Sequence, residues 1–167
     1  MMKQPVISTS LDAFLNETRS QGRFSFGLEE LKLALQVSDK AVNQALYRAK
    51  ARKKVAQVRK GFYAILSPEY AKQGMVPPTL LIDDMMKMLN RRYYVGLVSA
   101  AALHGAAHQQ PMEYFVITQK PALRNIKNKT LKINFYVKQD WSAESVIQKK
   151  TKTGYITQLD MQDTNGN

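Results

Sequence analysis

The sequence predicts an α+β fold: a helical N-terminal domain that ends in a β-hairpin, followed by a second, small α+β domain. Three observations predict it. Apolar residues in the first part of the chain recur at helical spacing, and two extended segments joined by a glycine turn follow them. Pro77-Pro78 then marks a boundary between domains. After the prolines come a helical pattern and several strand-like segments.

Composition limits the classes of function. The chain has 167 residues, 25 Lys and Arg against 13 Asp and Glu, and a net charge of +12. Hydrophobic residues make up 44 %, which is enough for a folded core, and there is no Cys for a disulfide scaffold, a thiol enzyme or a Cys-ligated metal. No signal peptide or membrane-spanning stretch stands out. We therefore expect a soluble cytoplasmic protein with no cofactor and no membrane partner, and the charge favours a polyanionic partner.

The first two helices are predicted from their capping residues and apolar spacing. Ser10 is the expected N-cap of a helix that Gln21-Gly22 ends. Phe24-Ser25-Phe26 is then expected to be extended, with its aromatic side chains packed on the first helix. Residues 28–35 form the second helix, because its leucines recur at spacings of three and four.

The third predicted helix, residues 39–51, carries the most informative side chains. Ser38 can cap it, and Val42, Ala45, Leu46 and Ala49 form its buried stripe. The opposite face is polar and basic, and such side chains can read base edges, since Asn and Gln pair with adenine and Arg with guanine. The predicted base-reading residues are Lys40, Asn43, Gln44, Tyr47 and Arg48.

A basic hairpin is predicted after this helix. Residues 54–59 and 62–66 are expected to pair around a turn at Lys60-Gly61, where glycine accepts an unusual backbone angle. The stretch from residue 47 to residue 60 contains no acidic side chain. A solvated face that only aids solubility is the alternative interpretation of such a run. The predicted phosphate-binding residues are Lys50, Arg52, Lys53, Lys54, Arg59 and Lys60.

This order of elements is that of the winged helix-turn-helix, in which the third helix enters the major groove and the hairpin contacts the DNA backbone or the minor groove. We therefore predict a winged helix-turn-helix DNA-binding domain at residues 1–68, a linker at 69–78 and an α+β domain at 79–167. Two alternatives stay open. The same fold can serve only as a protein-contact module, and basic charge alone does not distinguish DNA from RNA.

The second domain is predicted to contain two helices and three strands. The first helix, residues 80–90, has Thr79 or Asp83 as its possible cap and places Leu81, Met85, Met88 and Leu89 inside. A helix of small residues is expected at 98–105. The predicted strands are residues 112–118, 131–137 and 154–157.

No catalytic constellation stands out in the sequence. His104 and His108 have the spacing of two zinc ligands on a helix, but no third ligand is evident, and we interpret them as packed or capping residues. Ser99 lies in no nucleophile elbow, and there is no glycine-rich phosphate loop. We predict that the protein is not an enzyme and holds no metal.

One long motif resembles a known family. It runs from Tyr93-Tyr94-Val95 to His108 and Gln109-Gln110-Pro111, and residues 59–63, 115–118 and 131–133 extend the match. Together they resemble the AbiEi family of antitoxins over residues 10–157. The resemblance implies an antitoxin of a bacterial type IV toxin–antitoxin pair, linked to abortive infection against phage. It also implies that the winged helix represses the pair's own promoter, and that the partner gene encodes a nucleotidyltransferase-like toxin with which no stable complex is needed.

The sequence departs from the pattern of this family at its C-terminal end. Members of the family usually continue well past the strand at residues 154–157, so we expect an incomplete second domain here. Repression would survive such a loss more easily than antitoxin action. The alternative function is a protein-interaction module that neutralises the nucleotidyltransferase-like toxin without specific DNA binding.

Overall fold

The protein has a mixed α+β fold, as expected from the sequence. The computed structural model describes residues 10–95, 112–128, 131–139, 146–151 and 154–159. The chain divides into two compact units, Met1–Val76 and Pro77–Asn167. The described residues contain five α-helices and two β-sheets. None of the helices in these ranges is long and apolar enough to cross a membrane.

The first unit begins with three helices and three strands. They are α1 (Leu11–Ser20), β1 (Ser25–Gly27), α2 (Leu28–Leu35), α3 (Asp39–Ala51), β2 (Val55–Arg59) and β3 (Phe62–Ile65). Both predicted serine caps are confirmed. The side-chain oxygen of Ser10 accepts a hydrogen bond from the backbone N–H of Ala13 at 3.1 Å, and that of Ser38 accepts one from Ala41 at 3.2 Å. Each serine thus satisfies an N–H group that has no partner inside its own helix.

The predicted hairpin forms, and β1 joins it. The three strands are antiparallel in the order β1-β3-β2. The turn lies at Lys60 and Gly61, and Gly61 has a φ of +77°, which favours glycine. The pairing of β2 with β3 shifts register between Gln57 and Arg59, so the hairpin is irregular near its turn. The sequence pattern predicted β1 as extended but did not reveal its partner strand.

Aromatic residues bring the helices and the sheet of the first unit together. The Phe14 ring on α1 meets Phe26 on β1 edge-on, with centroids 5.3 Å apart. Phe26 also stacks on Tyr63 of β3 at 5.6 Å. The predicted packing of the extended segment on α1 is thereby confirmed for Phe26. Val42 and Leu46 of α3 are buried in the same core, which fixes the inner face of that helix.

Part of the predicted linker is helical. Helix α4 (Pro68–Ala71) begins after Ser67, and a proline suits its first turn because the missing N–H would have no partner there. Met75 and Val76 are buried despite the polar residues that precede them. The boundary between the two units falls directly after Val76.

The second unit contains one α-helix and a six-stranded mixed sheet in its described part. Its elements are α5 (Ile82–Met88), β4 (Tyr93–Val95), β5 (Met112–Thr118), β6 (Ile126–Lys127), β7 (Leu131–Val137), β8 (Val146–Thr151) and β9 (Gly154–Leu159). The strand order is β6-β7-β5-β4-β9-β8. The pairs β5–β7 and β4–β9 are parallel, and the remaining pairs are antiparallel. Strands β5 and β7 have the predicted bounds, while β9 extends past the predicted segment.

The helix predicted at residues 80–90 is shorter than expected. A 3-10 turn at Pro78–Leu80 precedes α5, and the cap position falls at Leu81, so neither Thr79 nor Asp83 caps the helix. The fixed geometry of Pro77-Pro78 favours this tight turn and delays the α-helix. Met88 was expected inside and is 41 % exposed, whereas Met86 is fully buried. The predicted small-residue helix, with Ser99, His104 and His108, lies outside the described residues.

Candidate nucleic-acid interface

The outer face of α3 gathers the five predicted base-reading residues. They recur at spacings of three and four along the helix, which places them on one side of it. All five are exposed, with Tyr47 at 73 %. Together they line one open surface depression of about 720 Å³. We call this set the α3 face; it consists of Lys40, Asn43, Gln44, Tyr47 and Arg48.

The core of the first unit holds the α3 face outward. Val42, Leu46 and Ala49 are buried on the opposite side of α3, so rotation of the helix about its axis would expose apolar surface. At the start of the helix, the Lys32 ammonium lies 3.5 Å from the Asp39 carboxylate. This ion pair links α2 to α3. Because a surface ion pair contributes little to the free energy of folding, the orientation of α3 depends on the core.

The predicted phosphate-binding residues at the end of α3 differ in their surroundings. Lys50 is exposed, and its ammonium lies 6.0 Å from the centroid of the Tyr63 ring, at the outer range of a cation–π contact. Arg52 occupies the C-cap position of α3 and is exposed. Lys53 follows it with a φ of +57° and is exposed as well. The turn after α3 thus presents consecutive cations to solvent.

Lys54 has an acidic neighbour that the local sequence does not reveal. Its ammonium lies 2.8 Å from the carboxylate of Asp12 on α1. The stretch from residue 47 to residue 60 is free of acids along the chain, but the fold brings Asp12 beside it. Lys54 therefore faces a carboxylate, unlike the neighbouring Arg52 and Lys53.

The hairpin supplies the remaining two predicted residues. Lys60 is exposed at the turn between β2 and β3. Arg59 is half-buried, and its Nη1 atom is buried without a hydrogen-bond partner. A guanidinium nitrogen left without a partner is available to an incoming acceptor if the side chain moves outward.

A second depression lies between α1 and α3, and we call it the α1–α3 cleft. Its volume is about 200 Å³. The residues that line it are Ser10, Leu11, Asp12, Ala45, Arg48, Ala49, Arg52 and Lys54. Arg48 belongs to both the α3 face and this cleft. Sequence reasoning found Arg48, Arg52 and Lys54 but missed the α1 residues, because 42 positions separate Asp12 from Lys54.

Among the described residues, Glu113 and two buried tyrosines of the second unit have shifted pKa values. Burial raises the pKa of Tyr114 to about 12, and burial also raises the pKa of Tyr94. Glu113 accepts hydrogen bonds from Lys132 and Asn134, which lower the pKa of its carboxyl group. Within the described ranges, no group of three His, Cys, Asp or Glu residues could hold a metal ion.

Comparison with known proteins adds no family assignment. No protein-family model matches this chain, and a search of the curated proteins finds no match. The resemblance to the AbiEi family therefore rests on the sequence motifs alone, and the longest motif lies outside the described residues from residue 96 to its end at residue 111.

Proposed function

We propose that the first unit is a winged helix-turn-helix domain that binds double-stranded DNA, and that the protein acts as a transcriptional repressor. The order of elements supports the proposal, because two helices, a capped basic helix and a hairpin follow one another as in that fold. One observation carries it. The side chains that can read base edges are exposed together on the α3 face, opposite a stripe buried in the core.

The chemistry of the α3 face suits the major groove. An α-helix fits this groove, where Asn43 or Gln44 can form paired hydrogen bonds with adenine and Arg48 with guanine. Lys60 at the hairpin turn would contact the backbone or the minor groove. The excess of positive charge, +12 over the whole chain, strengthens attraction to any phosphate backbone.

Salt dependence tests the DNA-binding proposal directly. The measurement is fluorescence anisotropy of a labelled duplex from the region upstream of the gene, over a range of salt concentrations. If about five of the predicted cations meet phosphates, the logarithm of the affinity falls against the logarithm of salt with a slope of about −4 to −5. A flat dependence contradicts DNA binding. Preferential binding of duplex RNA in competition would favour the RNA-binding alternative.

The resemblance to the AbiEi family extends this proposal. On that basis the DNA is the chain's own promoter, and the operon partner is a nucleotidyltransferase-like toxin that the protein counteracts. A reporter fused to the upstream region tests repression. Co-expression with a neighbouring nucleotidyltransferase-like gene tests antitoxin action, and growth arrest that this chain does not relieve contradicts it. Relief of arrest by a variant that no longer binds DNA would favour the protein-interaction alternative.

A further inference from the structure

We propose that the α1–α3 cleft binds a phosphodiester group of the DNA backbone, and that Asp12 weakens binding at this site. The inference rests on the proposed DNA-binding function and deepens it. It assigns the cleft a ligand, and it brings Arg52 and Lys54, both predicted phosphate-binding residues, to one site. It also identifies an acidic residue that opposes the interaction.

The composition of the cleft supports an anionic ligand. Three of its lining residues are cations, Arg48, Arg52 and Lys54, and Asp12 is the one acid among them. Its volume of about 200 Å³ exceeds several-fold the share of one water molecule in the liquid, which is about 30 Å³. A phosphate group therefore fits in the cleft.

The two arginines match phosphate geometry. Arg48 on α3 and Arg52 at its C-cap are four residues apart, and both side chains line the cleft. A guanidinium group presents two parallel N–H donors that suit two phosphate oxygens. In the part of the chain that the structure describes, no carboxylate forms an ion pair with either arginine. Arg52 therefore retains its paired donors for a phosphate, while Arg48 can donate either to a phosphate in the cleft or to a guanine at the α3 face.

Asp12 opposes the same ligand in two ways. Its carboxylate repels a phosphate in the cleft, and it also holds the Lys54 ammonium at 2.8 Å. Both side chains remain partly exposed, at 61 % for Asp12 and 42 % for Lys54, so the pair is accessible to DNA. The ion pair cancels one of the three cations of the cleft. Removal of the Asp12 charge should therefore tighten binding to every duplex sequence.

Two substitutions with opposite expected effects test the proposal in the full chain. We expect Asp12→Asn to strengthen duplex binding roughly fivefold and to steepen the salt slope by about 0.9, because Lys54 becomes free to meet a phosphate. We expect Arg52→Gln to weaken binding by a similar factor and to flatten the slope by about 0.9. For each of these two variants, the change in affinity should be the same for the duplex from the upstream region and for unrelated duplexes. Arg52→Lys should restore the slope but only part of the affinity, because it keeps the charge and loses the paired donors.

The matched control is Glu17→Gln, which removes the same charge from an exposed position of α1 outside the cleft. The affinity of this variant for the duplex should stay within about twofold of that of the original chain. If Asp12→Asn gains no more than Glu17→Gln, or if Arg52→Gln binds as the original chain does, the inference is overturned while DNA binding stands. Absence of salt-dependent binding in the original chain overturns the proposed function and the inference together.

Inorganic phosphate separates the two sources of the ligand. Isothermal titration calorimetry with orthophosphate, at constant ionic strength, measures binding of the free ion to the original chain and to Arg52→Gln. Weak orthophosphate binding together with the expected loss of duplex affinity supports a backbone site. Tight orthophosphate binding that Arg52→Gln abolishes without any change in duplex affinity overturns it. Thermal unfolding of each variant confirms that a loss of binding is not a loss of fold.

Discussion

Tyr114 shows how one residue can oppose the stability of a strand. Its side chain on β5 is fully buried, and its hydroxyl group has no hydrogen-bond partner. A buried hydroxyl without a partner has lost its hydrogen bonds to water and gained none in return. We therefore expect that Tyr114→Phe leaves the free energy of unfolding unchanged or raises it by about 1–2 kcal/mol. Urea unfolding measures this, with the exposed Tyr136→Phe as the control that should change nothing.

The same tyrosine makes stability depend on alkaline pH. Burial raises the pKa of Tyr114 from 10.0 to about 12, so the unfolded chain loses this proton before the folded chain does. The unfolded state thus binds fewer protons, and stability falls as pH rises from about 10 towards 12. The contribution of this one group is at most about 2–3 kcal/mol, from about 1.4 kcal/mol for each pKa unit. Urea unfolding at pH 9 and 11 should show a smaller loss for Tyr114→Phe than for the original chain. Equal losses would contradict this account.

At the scale of an element, α3 could be predicted almost completely, whereas the strand pairing in the sheet of the second unit could not. The bounds Asp39–Ala51 follow from a serine cap and an apolar stripe, which are signals within a few residues. Strand pairing has no such local signal. Val95 of β4 pairs with Gln158 of β9, and the basic segment around Lys149 was not predicted to be the strand β8. The same holds for the candidate site. The α3 face could be predicted because its residues recur at helical spacing within one helix. The α1–α3 cleft could not, because it joins segments that are distant in the sequence.

The N-cap of α3 gives a prediction for the whole helix. Ser38 accepts the N–H of Ala41, and Ser38→Ala would leave this donor without its side-chain partner. We expect a loss of about 1 kcal/mol in the free energy of unfolding. Ser38→Asp keeps an acceptor at the cap and serves as the control, which should stay within a few tenths of a kcal/mol of the original chain. An equal loss in both variants would show that the cap is not the cause.

The α3 face and the cations of the turn that follows α3 should differ in what they recognise. We expect Gln44→Ala to weaken binding to the preferred duplex by about 1–3 kcal/mol and to relax the preference at one base pair. Lys53→Gln should weaken all duplexes alike, since a phosphate contact carries no sequence information. Anisotropy with the preferred duplex and a scrambled one measures both effects. If Gln44→Ala also weakens both duplexes equally, the α3 face does not read bases.

At the scale of the whole molecule, the first unit contains all the residues on which the DNA-binding proposal rests. Residues 1–76 contain 13 basic and 6 acidic side chains, a balance of +7 from the total of +12. The core cluster around Phe14, Phe26 and Leu46 comprises residues of this unit alone. The first unit also has a sheet of its own, because β1, β2 and β3 pair with one another among the described residues. A unit with its own core, sheet and charge should fold and bind without the rest of the chain.

A chain that ends at Val76 tests this independence. We expect it to retain the helical circular dichroism of α1, α2 and α3 and to unfold cooperatively, because its core stays intact. Its salt slope on duplex DNA should match that of the full chain to within about one phosphate contact, or about 0.9. The matched control is the same fragment with Leu46→Ala, which should lose about 2–5 kcal/mol of stability through a core cavity. A folded fragment with a much flatter slope would mean that cations beyond residue 76 contact the DNA. A fragment that does not fold would contradict the independence of the first unit.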